Sequence, residues 1–299
     1  MFLKKRHVRL GLMEAATLNY AVNKEWLKAQ LDNEQVRIVD CRYELGNPSK
    51  GESLYQEIHI PGAVYFDLEK QLPVSEHGGR HPLPDLDQFK LEIEKAGIDN
   101  TKTVVAYDSR EGQFASRFWW LLTFLGHDSV YVLNEGFRGW QEAGYATTEV
   151  VPEYESATFE VNIQEHLLAS YEEVKAVVEQ KKNSPILVDS RDEQRYLGEL
   201  EPMDKVAGRI PGSINKFWAE GFERGSFKTS EEQKKRFDDL DVDEPIIVYC
   251  GSGVTATPNY IALKMAGYKN VKLYAGSYSD WVSYEENPVD KGDPSTNEE

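Results

Sequence analysis

Only two cysteines, Cys41 and Cys250, occur in 299 residues. A disulfide framework in a chain this long needs more, so a reducing, cytoplasmic setting is expected and any single thiol is either buried filler or chemistry. No run of about 20 apolar residues occurs, as a membrane-spanning helix requires. The basic cluster Lys4, Lys5, Arg6 and Arg9 is not followed by an apolar stretch of signal-peptide length, so a ragged soluble N-terminus is expected. Basic residues are also scarce: 34 Lys and Arg face 51 Asp and Glu, a formal charge of −17. Such a surface repels nucleic acid and anionic membranes, and an anionic substrate needs a locally basic pocket. The six histidines show no zinc-like spacing, and no metal or cofactor is expected.

What the chain does contain is a repeat. Val36 to Arg42 is a β-rich run ending in Asp40-Cys41-Arg42, and Pro185 to Arg191 ends in Asp189-Ser190-Arg191. A turn follows each, His59-Ile60-Pro61-Gly62-Ala63 and Arg209-Ile210-Pro211-Gly212-Ser213. Thr103 to Asp108 then matches Pro245 to Cys250, both short apolar runs of the kind that form buried parallel strands. Helix-like stretches follow, Gln113 to Leu125 and Ala256 to Ala266, each stopped by a glycine. After further strands come Gly136 with Trp140, and Gly276 with Trp281. Strands alternating with helices predict two tandem α/β domains, each a mainly parallel sheet flanked by helices. The expected divisions are a first domain over 14–148, a linker over 149–164, a second domain over 165–285 and an acidic tail over 286–299 that frays.

Cys250 lies at the carboxyl end of a predicted buried strand, where open α/β sheets place ligands. Gly251-Ser252-Gly253-Val254-Thr255 follow, and then a helix. Small residues let such a loop curl around the sulfur with several N–H groups pointing at one centre, which favours a nucleophilic thiolate. The matching place in the first half is Asp108, a carboxylate that cannot act as a thiolate nucleophile. Cys41 sits within the Asp-x-Arg strand end and reads as a partly buried bystander.

The run Cys250 to Ala256 resembles the active-site loop of the 3-mercaptopyruvate sulfurtransferases, in the rhodanese superfamily, and the repeat covers nearly the whole chain. The resemblance implies an inactive first rhodanese-like domain and a catalytic second one, with Cys250 carrying sulfur as a persulfide. It implies a small anionic donor, 3-mercaptopyruvate, and a thiol acceptor such as thioredoxin or a small thiol, or cyanide. Arg195 matches the family arginine that grips the donor's carboxylate, a task that suits a planar guanidinium fork. Gly251, Ser252, Gly253, Val254 and Thr255 form the binding loop. Ser252 is a candidate proton relay, with His59 of the first domain as its possible partner. A second family arginine is missing between Glu199 and Ala207, where Lys205 is the available substitute, and Arg209 replaces the usual turn histidine.

Rival readings remain open. A thiosulfate:cyanide sulfurtransferase differs only in donor, though Gly251 and Ser252 stand where those enzymes typically carry basic side chains. A noncatalytic module would keep the loop for sulfide or redox sensing or for protein docking. A cysteine-dependent phosphatase needs an arginine where this chain has Ala256.

Overall fold

The computed structural model describes residues 17–18, 20–70, 78–180 and 185–294. The N-terminal expectation, with its basic cluster, therefore lies outside the described residues. The first sheet contains β1 (Thr17–Leu18), β2 (Ala21–Val22), β3 (Val36–Asp40), β4 (Ala63–Tyr65), β5 (Thr103–Tyr107) and β6 (Val130–Leu133) in the order β1-β2-β6-β5-β3-β4. Its pairings are parallel apart from the β1–β2 hairpin. The second sheet contains β7 (Ile186–Asp189), β8 (Ile214–Asn215), β11 (Ile246–Tyr249) and β12 (Val271–Leu273), all parallel, in the order β12-β11-β7-β8. This order repeats β6-β5-β3-β4, so the duplicated sequence runs are duplicated strands. A short hairpin of β9 (Phe222–Glu223) and β10 (Ser226–Phe227) lies between β8 and β11.

The first domain carries α1 (Lys24–Lys28), α2 (Pro48–Glu57), α3 (Leu86–Lys95), α4 (Gln113–Phe124) and α5 (Gly136–Glu142). The second carries α6 (Tyr171–Gln180), α7 (Glu193–Leu197), α8 (Ser230–Arg236), α9 (Ala256–Ala266) and α10 (Ser277–Trp281). Helices α4 and α9 are apolar around nearly their whole circumference because they meet each other between the two sheets. One hydrophobic cluster runs through both, with the rings of Trp119 and Tyr260 in contact at 6.2 Å. Each large side chain buried there contributes about 1.5–3 kcal/mol, so the domains share a core and the cleft between them has firm walls.

The Asp-x-Arg landmarks are buried ion pairs. Arg42 forks onto Asp40 and also donates to the carbonyls of Leu54 and Ile58. Arg191 forks onto Asp189 and donates to the carbonyl of Gly208 and to Glu201. Each pair clamps the segment that runs into the Ile-Pro-Gly turn. The segment 149–164 lies along the first domain, with the Tyr154 hydroxyl on the Gly62 carbonyl and the Ala157 amide on that of Glu94. The expectation of fraying beyond 285 is corrected as far as residue 292. Arg209 and Asp290 exchange backbone hydrogen bonds, the Gly292 amide donates to Leu197, and the Arg209 guanidinium holds the Gly292 carbonyl at 2.7 Å. Residues 295–299 lie outside the described residues. Among the described residues, no helix is long and apolar enough to cross a membrane.

Candidate active site

Cys250 follows the last residue of β11 and is 1 % exposed. Its amide donates to Ser277 Oγ at 3.1 Å, and its carbonyl accepts the Tyr278 amide at 3.0 Å. The loop is thus fastened to the start of α10. The Gly253 amide donates to Cys250 Sγ at 3.1 Å. Gly253 has φ +78°, and a Cβ there would lie 2.1 Å from the Ala275 carbonyl oxygen, so only glycine admits this curl. The sequence led us to expect several amides on the sulfur. The structure gives Sγ one among the described residues, that of Gly253.

The twin loop gathers several amides on a carboxylate at the matching position. Asp108 is 2 % exposed, and its two carboxylate oxygens accept the amides of Arg110, Gly112, Phe114 and Ala115 at 2.9–3.3 Å. Burial pushes its carboxyl up to about 6 even against these donors. A raised folded value means that the favourable contribution is fully present below the ordinary carboxylate range and is lost as pH rises through about 6. Asp108→Asn, which does not titrate, should therefore gain on the wild type between acid and neutral pH by about 2–3 kcal/mol. Denaturant unfolding of both proteins across that range measures the gap. A gap independent of pH would contradict the assignment.

The hydroxyl partner of the Cys loop comes from the first domain, but it is not His59. Ser252 Oγ lies 2.8 Å from His81 Nδ1, and His81 Nε2 lies 3.0 Å from Glu69 Oε1. An ionised Glu69 only accepts, so Nε2 carries the proton and Nδ1 accepts from the Ser252 hydroxyl. Burial lowers His81 below the usual histidine range, opposed by its bond to Glu69. His59 is corrected to a structural role. It stacks on Tyr55, its ring nitrogens face the carbonyls of Tyr55 and Val150, and its backbone pairs with Thr148.

Arg195 lies on α7 beside the Cys loop, and a second guanidinium reaches the same place from Arg80 of the first domain, whereas Lys205 is exposed. A Cβ built on Gly251 would lie 2.9 Å from Arg80 Nη2 and 3.1 Å from Arg195 Nη2, so the two arginines meet above the residue that follows Cys250. Burial and then the like charge of Arg195 pull Arg80 below its ordinary value. The two arginines set a local pair of positive charges beside the Cys loop of an acidic chain. Asp204 bridges the pair, accepting from Arg80 on one oxygen and from Arg195 Nη2 on the other at 3.0 Å. Glu201 accepts from Arg195 Nε and Nη2, at 3.1 and 2.8 Å.

Arg117 of α4 is the third contribution of the first domain. It is fully buried and donates to the carbonyls of Gly253, His81 and Pro82, tying the Cys loop to the His81 segment. Burial pushes it down to about 10, and the nearby Cys250 sulfur opposes that shift. Of the remaining loop residues, Val254 packs in the shared core, and Thr255 precedes α9 without a side-chain cap bond. Cys41, expected to be partly buried, is fully buried in the first domain's core.

The family described as "Rhodanese-like domain" matches residues 23–143 and 170–284. A probable 3-mercaptopyruvate sulfurtransferase of Pseudomonas aeruginosa is 40 % identical over 276 residues, covering 89 % of this chain and 96 % of the relative. The thiosulfate sulfurtransferase of Rattus norvegicus is 34 % identical over 272 residues, covering 87 % of this chain and 91 % of the relative. The crystal structure of the 3-mercaptopyruvate sulfurtransferase SseA of Escherichia coli superposes with a TM-score of 0.78 at 30 % identity, covering 87 % of this chain and 99 % of that one.

Proposed function

The chain belongs to the rhodanese family, and from that premise we propose that its second domain transfers sulfur from 3-mercaptopyruvate to a thiol acceptor through a persulfide on Cys250. The observation that carries this reading is the convergence of Arg195 and Arg80 above Gly251, beside a buried cysteine held in a glycine loop. The donor's carboxylate binds the two guanidiniums, bringing its thiol to the Cys250 thiolate. The thiolate attacks the donor sulfur, a sulfur–sulfur bond forms, and the carbon–sulfur bond breaks with its electron pair going to carbon. The donor's thiol proton ends on that carbon, releasing pyruvate and leaving the persulfide as an anion. Ser252, hydrogen-bonded to His81 and through it to Glu69, is positioned to relay that proton.

The twin loop supports the persulfide. The outer sulfur of a cysteine persulfide lies as many bonds from Cβ as the carboxylate oxygens of Asp108 do. The amides gathered on Asp108 therefore show how a loop of this kind holds an anion at that distance. With a carboxylate already in its own nest, the first domain carries no sulfur. It serves the reaction by lending Arg80, His81 and Arg117 to the second.

Sulfur passes on when an acceptor thiol attacks the outer sulfur. Initial rates with 3-mercaptopyruvate varied against a small thiol or thioredoxin should give parallel double-reciprocal lines, and intersecting lines would contradict the covalent intermediate. Thiosulfate is the second donor to consider, because a pair of guanidiniums also suits a dianion. A higher kcat/KM with thiosulfate would assign the chain to that activity. Protonated His81 cannot accept from Ser252, so activity should fall on the acid side at a pH below the usual histidine range. His81→Gln should lower turnover about 10²-fold and remove that limb from the pH profile. An unchanged profile in the variant would exclude the relay.

A further inference from the structure

The donor pocket already contains a carboxylate of the protein's own. Asp204 lies on the strap 199–207, which links α7 to the Ile-Pro-Gly turn and contains no helix or strand. Its side chain is 2 % exposed, with one oxygen on Arg80 and the other on Arg195. Those are the two guanidiniums that meet above Gly251, so Asp204 fills the place that an anionic donor's carboxylate needs. The cluster is otherwise balanced: Arg191 is matched by Asp189, and Glu201 reaches both Arg191 and Arg195. Arg80 forms no ion pair other than that with Asp204 among the described residues. A donor anion that joined this cluster without displacing Asp204 would add an excess negative charge in a desolvated place, which is costly.

The strap is built to let Asp204 go. Among the described residues, no backbone group of 201–207 hydrogen-bonds to another element. The amides of Met203 and Asp204 fold back on the Glu201 carboxylate instead. Leu200, Met203 and Val206 point outward and are exposed, so no apolar core anchors the outer face. Glu201 stays fastened to Arg191 and Arg195, leaving Asp204 as the movable member.

We propose that Asp204 is the specificity-determining residue of the donor site, an internal stand-in for the donor's carboxylate that every anionic donor must displace from Arg80 and Arg195. The proposal rests on the sulfurtransferase reading, because it assigns the donor's anion to the same arginine pair. Donors then bind by exchange of one carboxylate for another. Weakly bound anions are excluded, and a donor with stronger or additional contacts gains access.

The test uses the full-length enzyme and two variants, Asp204→Asn and Asp204→Glu. Asp204→Asn removes the competing charge at nearly constant size and should lower KM for 3-mercaptopyruvate about tenfold, with a matching rise in kcat/KM, as loss of one charge-assisted bond implies. Asp204→Glu keeps the charge and should leave KM at or above the wild-type value. Titration of Cys250→Ser protein with pyruvate, a carboxylate that cannot react, should show the same tenfold tightening when Asp204→Asn is added. That titration separates the two claims, since it reads the pocket without sulfur chemistry. An unchanged or higher KM together with unchanged or weaker pyruvate binding in Asp204→Asn would overturn the proposal and make Asp204 a brace for the arginines. Melting of each variant at the wild-type temperature shows that the comparison is between folded proteins. If Asp204→Asn unfolds early, Asp204→Ser, which also removes the charge and leaves Arg80 and Arg195 in place, is titrated instead, and unaltered pyruvate binding by it would overturn the proposal.

Discussion

Cys250→Ser should lower sulfur transfer by about 10⁴-fold or more with either donor, while the protein remains folded. The substitution is nearly isosteric in a position that is 1 % exposed, and its backbone bonds to Ser277 and Tyr278 do not involve the side chain. A hydroxyl is neither ionised near neutral pH nor able to carry a second sulfur, so both half-reactions are lost together. Turnover assays with 3-mercaptopyruvate and with thiosulfate measure this. Residual activity within a factor of ten of the wild type would place the chemistry elsewhere. Cys41→Ser is the control, because Cys41 lies in the first domain's core and its thiol is pushed well above the ordinary range by burial.

Gly253→Ala should be the most damaging change that leaves every functional group in place. Its φ of +78° is strained for alanine, and its Cβ would lie 2.1 Å from the backbone oxygen of Ala275, which cannot move without disturbing the start of α10. Left-handed strain and overpacking together cost about 2–4 kcal/mol. The Gly253 amide is also the donor to Sγ, and its carbonyl is held by Arg117. A shift of about 1 Å in this loop costs about 10²-fold in turnover. Thermal unfolding and kcat measured on the same preparation check both parts. Loss of stability with undiminished kcat would mean that the curl serves only packing.

The parts of this arrangement that could be read in the sequence are those written twice. Strand ends, Ile-Pro-Gly turns and the two buried helices recur in order, so β3 and β7, β5 and β11, and α4 and α9 could be matched before their positions were known. Cys250 stood out because it ends a repeated strand ahead of a glycine loop, with Asp108 at the matching place as a control. Three of the missed residues belong to a segment that occurs once, whereas Arg117 was missed within the repeated helix α4. Glu69, Arg80 and His81 lie between β4 and α3, and nothing between β8 and α8 repeats them. The available signal was the run Gly78-Gly79-Arg80-His81-Pro82. Its glycines allow close approach to the second domain, where a Cβ on Gly79 would lie 2.3 Å from the Gly276 carbonyl oxygen. His59 attracted attention because it sits in a landmark turn, yet landmarks repeated in both halves serve packing, as the Asp-x-Arg ion pairs also do. Residues supplied across a domain interface leave no periodicity; the packing of α4 on α9, together with the Gly78 and Arg80 amides on Asp280 and Ser279, brings them to Cys250.

The central claim is that Cys250 carries sulfur, and the most direct test is the intact mass of the protein after brief exposure to 3-mercaptopyruvate, with thiosulfate as the parallel donor. The account predicts a gain of one sulfur atom on the wild type, removed by a thiol and absent from Cys250→Ser. A wild-type mass unchanged by both donors, or a gain that survives in Cys250→Ser, would contradict it.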